Sequence, residues 1–271
     1  MKAVIQSGGK GTRLKPYTTI LPKPLMPVGS KPVLELLLKW LRRNGTRDAY
    51  ITTGYLGHLI RIACGDGSQW DLRVTYTEES EPLGTVGALH LLRKELDGTF
   101  FMVNGDILTD LNLNAFAAAH RQNGGALTIA TMQRTVRMDY GIIEDVGNQV
   151  VQFREKPNLT HLVSMGVYCM EPEVLNYIPA GVPFGFDDLV FEMMKAGVPI
   201  YTFLHRGFWL DVGRPEDFLK AQELVLDEMP SAFETAPLTF ETPAVSSAVP
   251  EQGAISKNAR GNGSYDLAGG T

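Results

Sequence analysis

One stretch, Gln6 to Pro32, limits what the rest of the chain can be. It follows a short apolar run, Ala3-Val4-Ile5, that reads as a first strand, and it ends where a helical pattern begins at Val33. A connection this long inside a domain is usually functional. Up to Leu34 the chain holds Lys2, Lys10, Arg13, Lys15, Lys23 and Lys31 with no Asp or Glu, although as a whole it carries a net charge of -5. Gly8, Gly9 and Gly11 let backbone N–H groups approach a ligand closely, and Pro16, Pro22, Pro24 and Pro27 stiffen the segment so that its cations are held in place. A stiff, glycine-opened, cationic loop at the end of a first strand is a polyphosphate site. The G-x-x-x-x-G-K-[ST] pattern is absent, and G-x-G-x-x-G fails because Gly9-Lys10-Gly11-Thr12-Arg13 is followed by Leu14.

The pattern beyond the loop alternates. A mostly buried helix is predicted over Val33–Arg43 with Asn44-Gly45 as its stop, a strand over Ala49–Thr53, a helix over Leu56–Ala63 and a strand over Leu72–Tyr76. A helix over Thr85–Leu96, a wholly apolar and therefore central strand over Thr99–Val103, a helix over Leu113–Arg121 and a strand over Ala126–Met132 follow. The expected fold class is α/β, a doubly wound, mixed but mainly parallel sheet. After Met132 short strands come quickly (Tyr140–Glu144, Val150–Arg154, Met165–Met170, Ile200–Leu204), with helices at Pro172–Ile178, at Asp187–Ala196 and from Pro215. These read as a small substrate lobe. The expected division is residues 1–132 for the nucleotide-binding half and 133–227 for the substrate half, with 228–271 a disordered tail of Pro, Ala, Ser, Thr and Gly.

With 271 residues, 44% hydrophobic and 20% charged, the chain can bury a sizeable core. No run approaches the ~18 apolar residues of a membrane helix. The N-terminus lacks a long apolar segment, and Cys64 and Cys169 form no closely spaced pair, so a reducing cytoplasm and no membrane partner are expected. The five histidines have no zinc-ligand spacing, and a pI near 5.6 argues against nucleic acid as a partner.

Gly8-Gly9-Lys10-Gly11-Thr12-Arg13-Leu14-Lys15-Pro16, with Pro22-Lys23-Pro24 and Lys31-Pro32 behind it, resembles the signature of the sugar-1-phosphate nucleotidyltransferases, and within them the mannose-1-phosphate guanylyltransferases most. The chain departs at Gln6 and Tyr17, both usually Leu there, and has Ser7 where Ala is common. The resemblance implies a Rossmann-like nucleotidyltransferase fold. It also implies a reaction in which an NTP and a sugar 1-phosphate give an NDP-sugar and pyrophosphate. No hexapeptide repeats occur, so no left-handed β-helix domain is expected. Family members often form dimers or tetramers, and a homo-oligomer is the corresponding expectation.

The same resemblance distributes roles. Asn104-Gly105-Asp106 closes the apolar strand, and ligands of open α/β sheets bind at such strand ends, although Gly-Asp is also a common turn. In the family this Asp holds Mg²⁺ with a second Asp after a later strand, which Asp211 in Trp209-Leu210-Asp211-Val212-Gly213 matches. Asp110 is not spaced for an Asp-x-Asp pair and is taken as a cap or turn residue. Arg13 would hold the leaving β- and γ-phosphates and Lys23 the α-phosphate. Ser7, Gly8, Gly9, Gly11, Thr12, Glu79 and Gly84 would bind the nucleotide, with Glu79 and Pro82-Leu83-Gly84-Thr85 as the base-reading turn. A carboxylate accepts two hydrogen bonds from guanine but one from uracil or thymine, so Glu79 favours GTP; in isolation it is a solvent-facing acid in the run Glu78, Glu79, Glu81. Glu155-Lys156-Pro157 resembles the second signature, and with Gly141, Ser164 and Gly166 it would bind the sugar phosphate. The sugar expected is mannose 1-phosphate or a related hexose or heptose 1-phosphate; dTTP or UTP with glucose 1-phosphate is the alternative. A non-catalytic nucleotide-sugar sensor would usually lack an Arg, Lys or Asp of this set, and the chain keeps Arg13, Lys23, Lys156, Asp106 and Asp211.

Overall fold

Alternation along the first strand sets the layering. β1 (Lys2–Ser7) sends Ala3 and Ile5 into one hydrophobic cluster and Val4 into another on the opposite sheet face. The structure, a computed structural model, describes residues 1–227, and the tail expected from residue 228 lies outside the described residues.

The chain leaves β1 through three single 3₁₀ turns, Thr12–Leu14, Tyr17–Thr19 and Lys23–Leu25. A two-residue hairpin follows, β2 (Pro27–Val28) with β3 (Lys31–Pro32), and then α1 (Val33–Arg43). The long loop is anchored, because Leu14, Leu25, Met26 and Val28 are buried and Thr18 Oγ1 donates to the Gly11 carbonyl at 2.8 Å. Continuing along the chain are β4 (Asp48–Thr53), α2 (Gly57–Cys64), β5 (Arg73–Glu78), β6 (Phe100–Asn104), β7 (Ile107–Thr109) and α3 (Leu113–Asn123). Then come β8 (Leu127–Arg137), β9 (Ile142–Val146), β10 (Gln149–Arg154), β11 (Asn158–Met170), α4 (Phe186–Lys195), β12 (Ile200–His205), β13 (Trp209–Asp211) and α5 (Pro215–Asp227).

Seven strands form one sheet in the order β12-β8-β11-β6-β1-β4-β5. Four pairings are parallel and the two made by β11 are antiparallel. The apolar strand β6 lies at its centre, as its composition predicts, with Phe101 and Val103 facing one cluster and Phe100 and Met102 the other. β9 and β10 pair only with each other, whereas β8, β11 and β12 extend the main sheet. No helix among the described residues is long and apolar enough to cross a membrane.

Two predicted helices differ. Thr85–Leu96 contains a 3₁₀ stretch, Gly87–Leu92, because Val86 and Gly87 donate their N–H groups to the Phe184 carbonyl rather than to a turn of their own. Pro172–Ile178 is 3₁₀ over Pro172–Tyr177, where the Val174 and Ile178 N–H groups each donate three residues back, to the Glu171 and Leu175 carbonyls. α5 reaches back to the first loop. Gln222 Oε1 accepts the Gly29 N–H at 3.1 Å, its Nε2 donates to the Pro27 carbonyl, and the Phe218 and Tyr17 rings lie 6.3 Å apart.

Candidate active site

The parallel register brings β1, β4 and β5 to a common edge, with Ser7 opposite Thr53 and Thr53 opposite Glu78, and β6 ends beside them with Asn104 opposite Gln6. At that carboxyl edge lies a cavity of about 390 Å³, the size of a small-molecule site. The predicted Ser7, Gly8, Gly9, Gly11, Thr12, Arg13, Lys23, Glu79, Gly84 and Asp106 all line it. Gly11 turns the loop with φ +59°, and a Cβ on Gly105 would stand 2.6 Å from Ser7 Oγ, so the backbone is drawn in where the strands end.

Positive and negative charge meet on one wall. Lys23 Nζ is bonded to Asp106 Oδ2, and both side chains are largely covered, at 15% and 18% exposure. A Cβ on Gly213 would lie 2.8 Å from Lys23 Nζ and 2.5 Å from Asp211 Oδ1, so both groups flank the Gly213 backbone although only Asp106 is paired with the ammonium. Burial pushes the Lys23 amine down to about 8, the Asp211 carboxylate opposing the shift and the Arg13 guanidinium adding to it. β13 pairs antiparallel with β7, setting Asp211 opposite Ile107, and Val212 N–H donates to the Asp106 carbonyl at 2.8 Å. The two carboxylates are thus held by adjoining backbone. Asp211 Oδ1 is buried and accepts no hydrogen bond. Two neighbouring carboxylates, one with an unsatisfied oxygen, fit Mg²⁺, which takes few protein oxygens and completes its shell from phosphates and water.

The opposite wall carries Glu79. It is 9% exposed, so the solvent-facing alternative does not hold. Its Oε2 accepts the Leu83 N–H at 2.9 Å, whereas Oε1 is buried without a partner. Burial raises its pKa, and the Leu83 N–H and the Gln6 amide act against that shift. Gly84, with φ +76°, lets the turn pass so close to Phe184 that a Cβ would sit 2.6 Å from its carbonyl oxygen. Gly84→Ala is therefore expected to lower stability by about 1–3 kcal/mol, as a strained left-handed residue does, read as a shift in denaturation midpoint. Five buried side-chain polar atoms lack a hydrogen bond among the described residues, and three of them, Ser7 Oγ, Glu79 Oε1 and Asp211 Oδ1, belong to the predicted site. Orphaned buried polar atoms are rare enough to ask for a ligand.

The predicted sugar-side residues stand outside this cavity lining. Gly166, in a bulged part of β11 with φ +72°, abuts the cavity residue Asn104, and Ser164 Oγ donates to Tyr168 Oη at 3.2 Å. Glu155 and Lys156 are exposed and 3.8 Å apart at the end of β10, where Lys156 adopts a left-handed φ of +41°; Gly141 packs against Phe153 and Glu155. Pro82 and Thr85 of the expected base-reading turn line the cavity too, and so do Gln6, Pro24, Asn104, Gly105 and Gly213, which were given no site role. Asn104 and Gly105 could have been found from Asp106 beside them. Asp110 is a tie: it accepts the Phe208 N–H at 2.7 Å and contacts His205 Nε2 at 2.8 Å.

A doubly wound sheet with a glycine-opened cationic loop facing two carboxylates defines a nucleotide-phosphate-binding protein. The Nucleotidyl transferase family profile matches residues 2–228, and the chain belongs to that family, among its sugar-1-phosphate nucleotidyltransferases. It is 32% identical over 246 residues to a UTP–glucose-1-phosphate uridylyltransferase of Synechocystis, covering 83% of this chain and 63% of that one. It is also 32% identical over 238 residues to mannose-1-phosphate guanylyltransferase 1 of Arabidopsis thaliana, covering 84% and 66%. The chain therefore spans less than two thirds of the length of these curated relatives. Among solved structures, HddC from Yersinia pseudotuberculosis complexed with GMP-PN is similar, with 26% identity, a TM-score of 0.66, and coverage of 82% of this chain and 98% of that one.

Proposed function

We propose that the chain transfers a nucleotidyl group from an NTP to a sugar 1-phosphate, releasing pyrophosphate, with GTP as donor and mannose 1-phosphate or a related hexose or heptose 1-phosphate as acceptor. The observation that carries this reading is the meeting of Arg13, Lys23 and Asp106 at the cavity, with Asp211 held behind them beside Asp106 by the β7–β13 pair. The sugar phosphate oxygen attacks the α-phosphorus in line with the departing pyrophosphate. Both reactants are anions, so catalysis is positioning and charge neutralisation and needs no protein nucleophile. The N–H groups around Gly9, Gly11 and Thr12 with Arg13 hold the β- and γ-phosphates. Lys23 neutralises charge growing on the α-phosphate. Lys156, with Glu155, Gly141, Ser164 and Gly166, receives the sugar phosphate at the outer side. Asp106 and Asp211 would hold Mg²⁺, which would supply positive charge to neutralise the reacting phosphates.

The preference for guanine rests on Glu79, whose free Oε1 and partly used Oε2 suit a base edge with two adjacent N–H donors. UTP or dTTP with glucose 1-phosphate is the second reading, favoured by the equal identity to the Synechocystis uridylyltransferase. Pyrophosphate release measured with a panel of NTPs and sugar 1-phosphates decides between them, and nucleotide binding without release would instead favour a sensor. Glu79→Gln is expected to cut the ratio of kcat/KM for GTP over UTP by about tenfold or more, the worth of one good bidentate base contact. Because burial raises the Glu79 pKa, keeping it ionised costs stability at neutral pH. The variant should therefore unfold later than the parent at pH 7, and this advantage should shrink as pH falls and the parent's carboxyl protonates. A parent that prefers UTP would remove guanine while leaving the reaction intact.

A further inference from the structure

Gln6 is a polar side chain near the end of β1, between the strand core and the cavity it lines. Its amide is fixed from both ends. Thr52, on the adjacent strand β4 and in register with Gln6, is fully buried and donates its hydroxyl to Gln6 Oε1. The same hydroxyl oxygen accepts the Ser7 N–H at 3.4 Å. With Oε1 so engaged, the amide nitrogen must point the other way, and Gln6 Nε2 donates to the Gly84 carbonyl at 2.9 Å. That bond crosses from the sheet to the turn that Glu79 holds from its other side through the Leu83 N–H. The turn is thus tied by two side chains, one from β1 and one from just beyond β5, and Gln6 is itself oriented by Thr52. An amide nitrogen carries two protons, and one is used on Gly84. The other is available on the side of the Glu79 carboxylate, whose charged form the Gln6 amide favours.

We infer that Gln6, oriented by Thr52, is a positioning residue that sets nucleotide-base selectivity by fixing the Gly84 turn against Glu79. Leu at position 6 would fill similar space but could neither receive the Thr52 hydroxyl nor hold the Gly84 carbonyl. The turn and the carboxylate would then lose their common reference, and the cost would fall on the part of the nucleotide that the turn faces. The phosphate loop and the two aspartates stand on other contacts and would keep their places. The effect should therefore appear in the KM of the nucleotide and in base choice, not in the rate of the bound complex.

The inference rests on the nucleotidyltransferase reading, and the test separates the two. Steady-state pyrophosphate release is measured with GTP and UTP for the parent, Gln6→Leu, Thr52→Val and the double variant, with thermal unfolding alongside. Gln6→Leu is expected to raise the KM of the preferred nucleotide about tenfold, with the change concentrated in KM rather than kcat, and to lower the base-preference ratio by about five- to tenfold, within the range of one misplaced base contact. Thr52→Val should act in the same direction by about threefold, the scale of one neutral hydrogen bond. The double variant should match Gln6→Leu alone, because Thr52 acts through Gln6. If Gln6→Leu does not fold, Thr52→Val, which keeps the volume of a buried strand residue, carries the test through its base ratio. A working parent with a base ratio unchanged in the variants overturns the inference and leaves the reaction standing. A parent that releases pyrophosphate from no nucleotide overturns the reading itself, and the inference with it.

Discussion

Lys23→Ala is expected to lower kcat by about 10²–10³-fold, the loss typical of removing one preorganised charge from a transition state. The ammonium sits on Asp106 beside Asp211, and it is carried by a 3₁₀ turn between Pro22 and Pro24 that leaves it little freedom. The prolines and the burial are what make it worth more than a surface lysine: its position is prepaid, and the phosphate charge it meets is poorly screened by water. The measurement is pyrophosphate release at saturating nucleotide and sugar phosphate, which reads kcat free of binding losses. Lys23→Arg should not restore the rate. The ammonium packs so near the Gly213 backbone that a Cβ there would stand 2.8 Å from Nζ, and a guanidinium fork needs more room than an ammonium. A Lys23→Ala protein turning over at the parental rate would take Lys23 out of the mechanism.

Asp211→Asn separates a binding carboxylate from a structural one, because its effects on activity and stability diverge. The buried, unpartnered Oδ1 contributes no hydrogen bond to the folded chain. Removing its charge while keeping its shape should leave metal-free stability within about 1 kcal/mol of the parent. Activity should fall by about 10³-fold, since a divalent cation supplies several kcal/mol of charge stabilisation. Denaturant unfolding without added metal and kcat with saturating Mg²⁺ are the two readings. A variant that loses several kcal/mol of stability, and whose activity merely follows the surviving folded fraction, would make Asp211 a scaffold residue.

Much of the scaffold was legible because apolar alternation is a local signal. Ala3-Val4-Ile5 and the run ending at Val103 became neighbouring strands, and the carboxylate after the second of them reached the cavity with the cations of the first loop. What escaped was set by contacts far away in sequence. The 3₁₀ character of Gly87–Leu92 depends on a carbonyl at Phe184. β8 and β11 run on past the predicted ends through Gln133, Arg134 and Thr135, paired with Leu162, His161 and Thr160, where the residues are exposed and, Leu162 apart, polar, and give no hydrophobic period. Glu78 and Glu79 look alike in an acidic run. The structure turns Glu78 outward to Arg61 and Glu79 inward to Leu83. Gln6 was visible only as an unusual residue, since its meaning lies in Thr52 and Gly84, which fold next to it from elsewhere.

The grip of α5 on the first loop has a consequence for how the molecule is made. Gln222 binds Pro27 and Gly29 across 193 to 195 positions, and Asp211 reaches the strand beside Asp106 only about ten residues earlier in the chain. A nascent chain can therefore pair its early parallel strands and still present a loose, half-walled first loop until residues 211 to 222 have been made, because closing so long a loop must precede the contacts that reward it. Fragments that stop short of Asp211 and Gln222 are therefore expected to bind nucleotide poorly, because the first loop then lacks the contacts that close its wall.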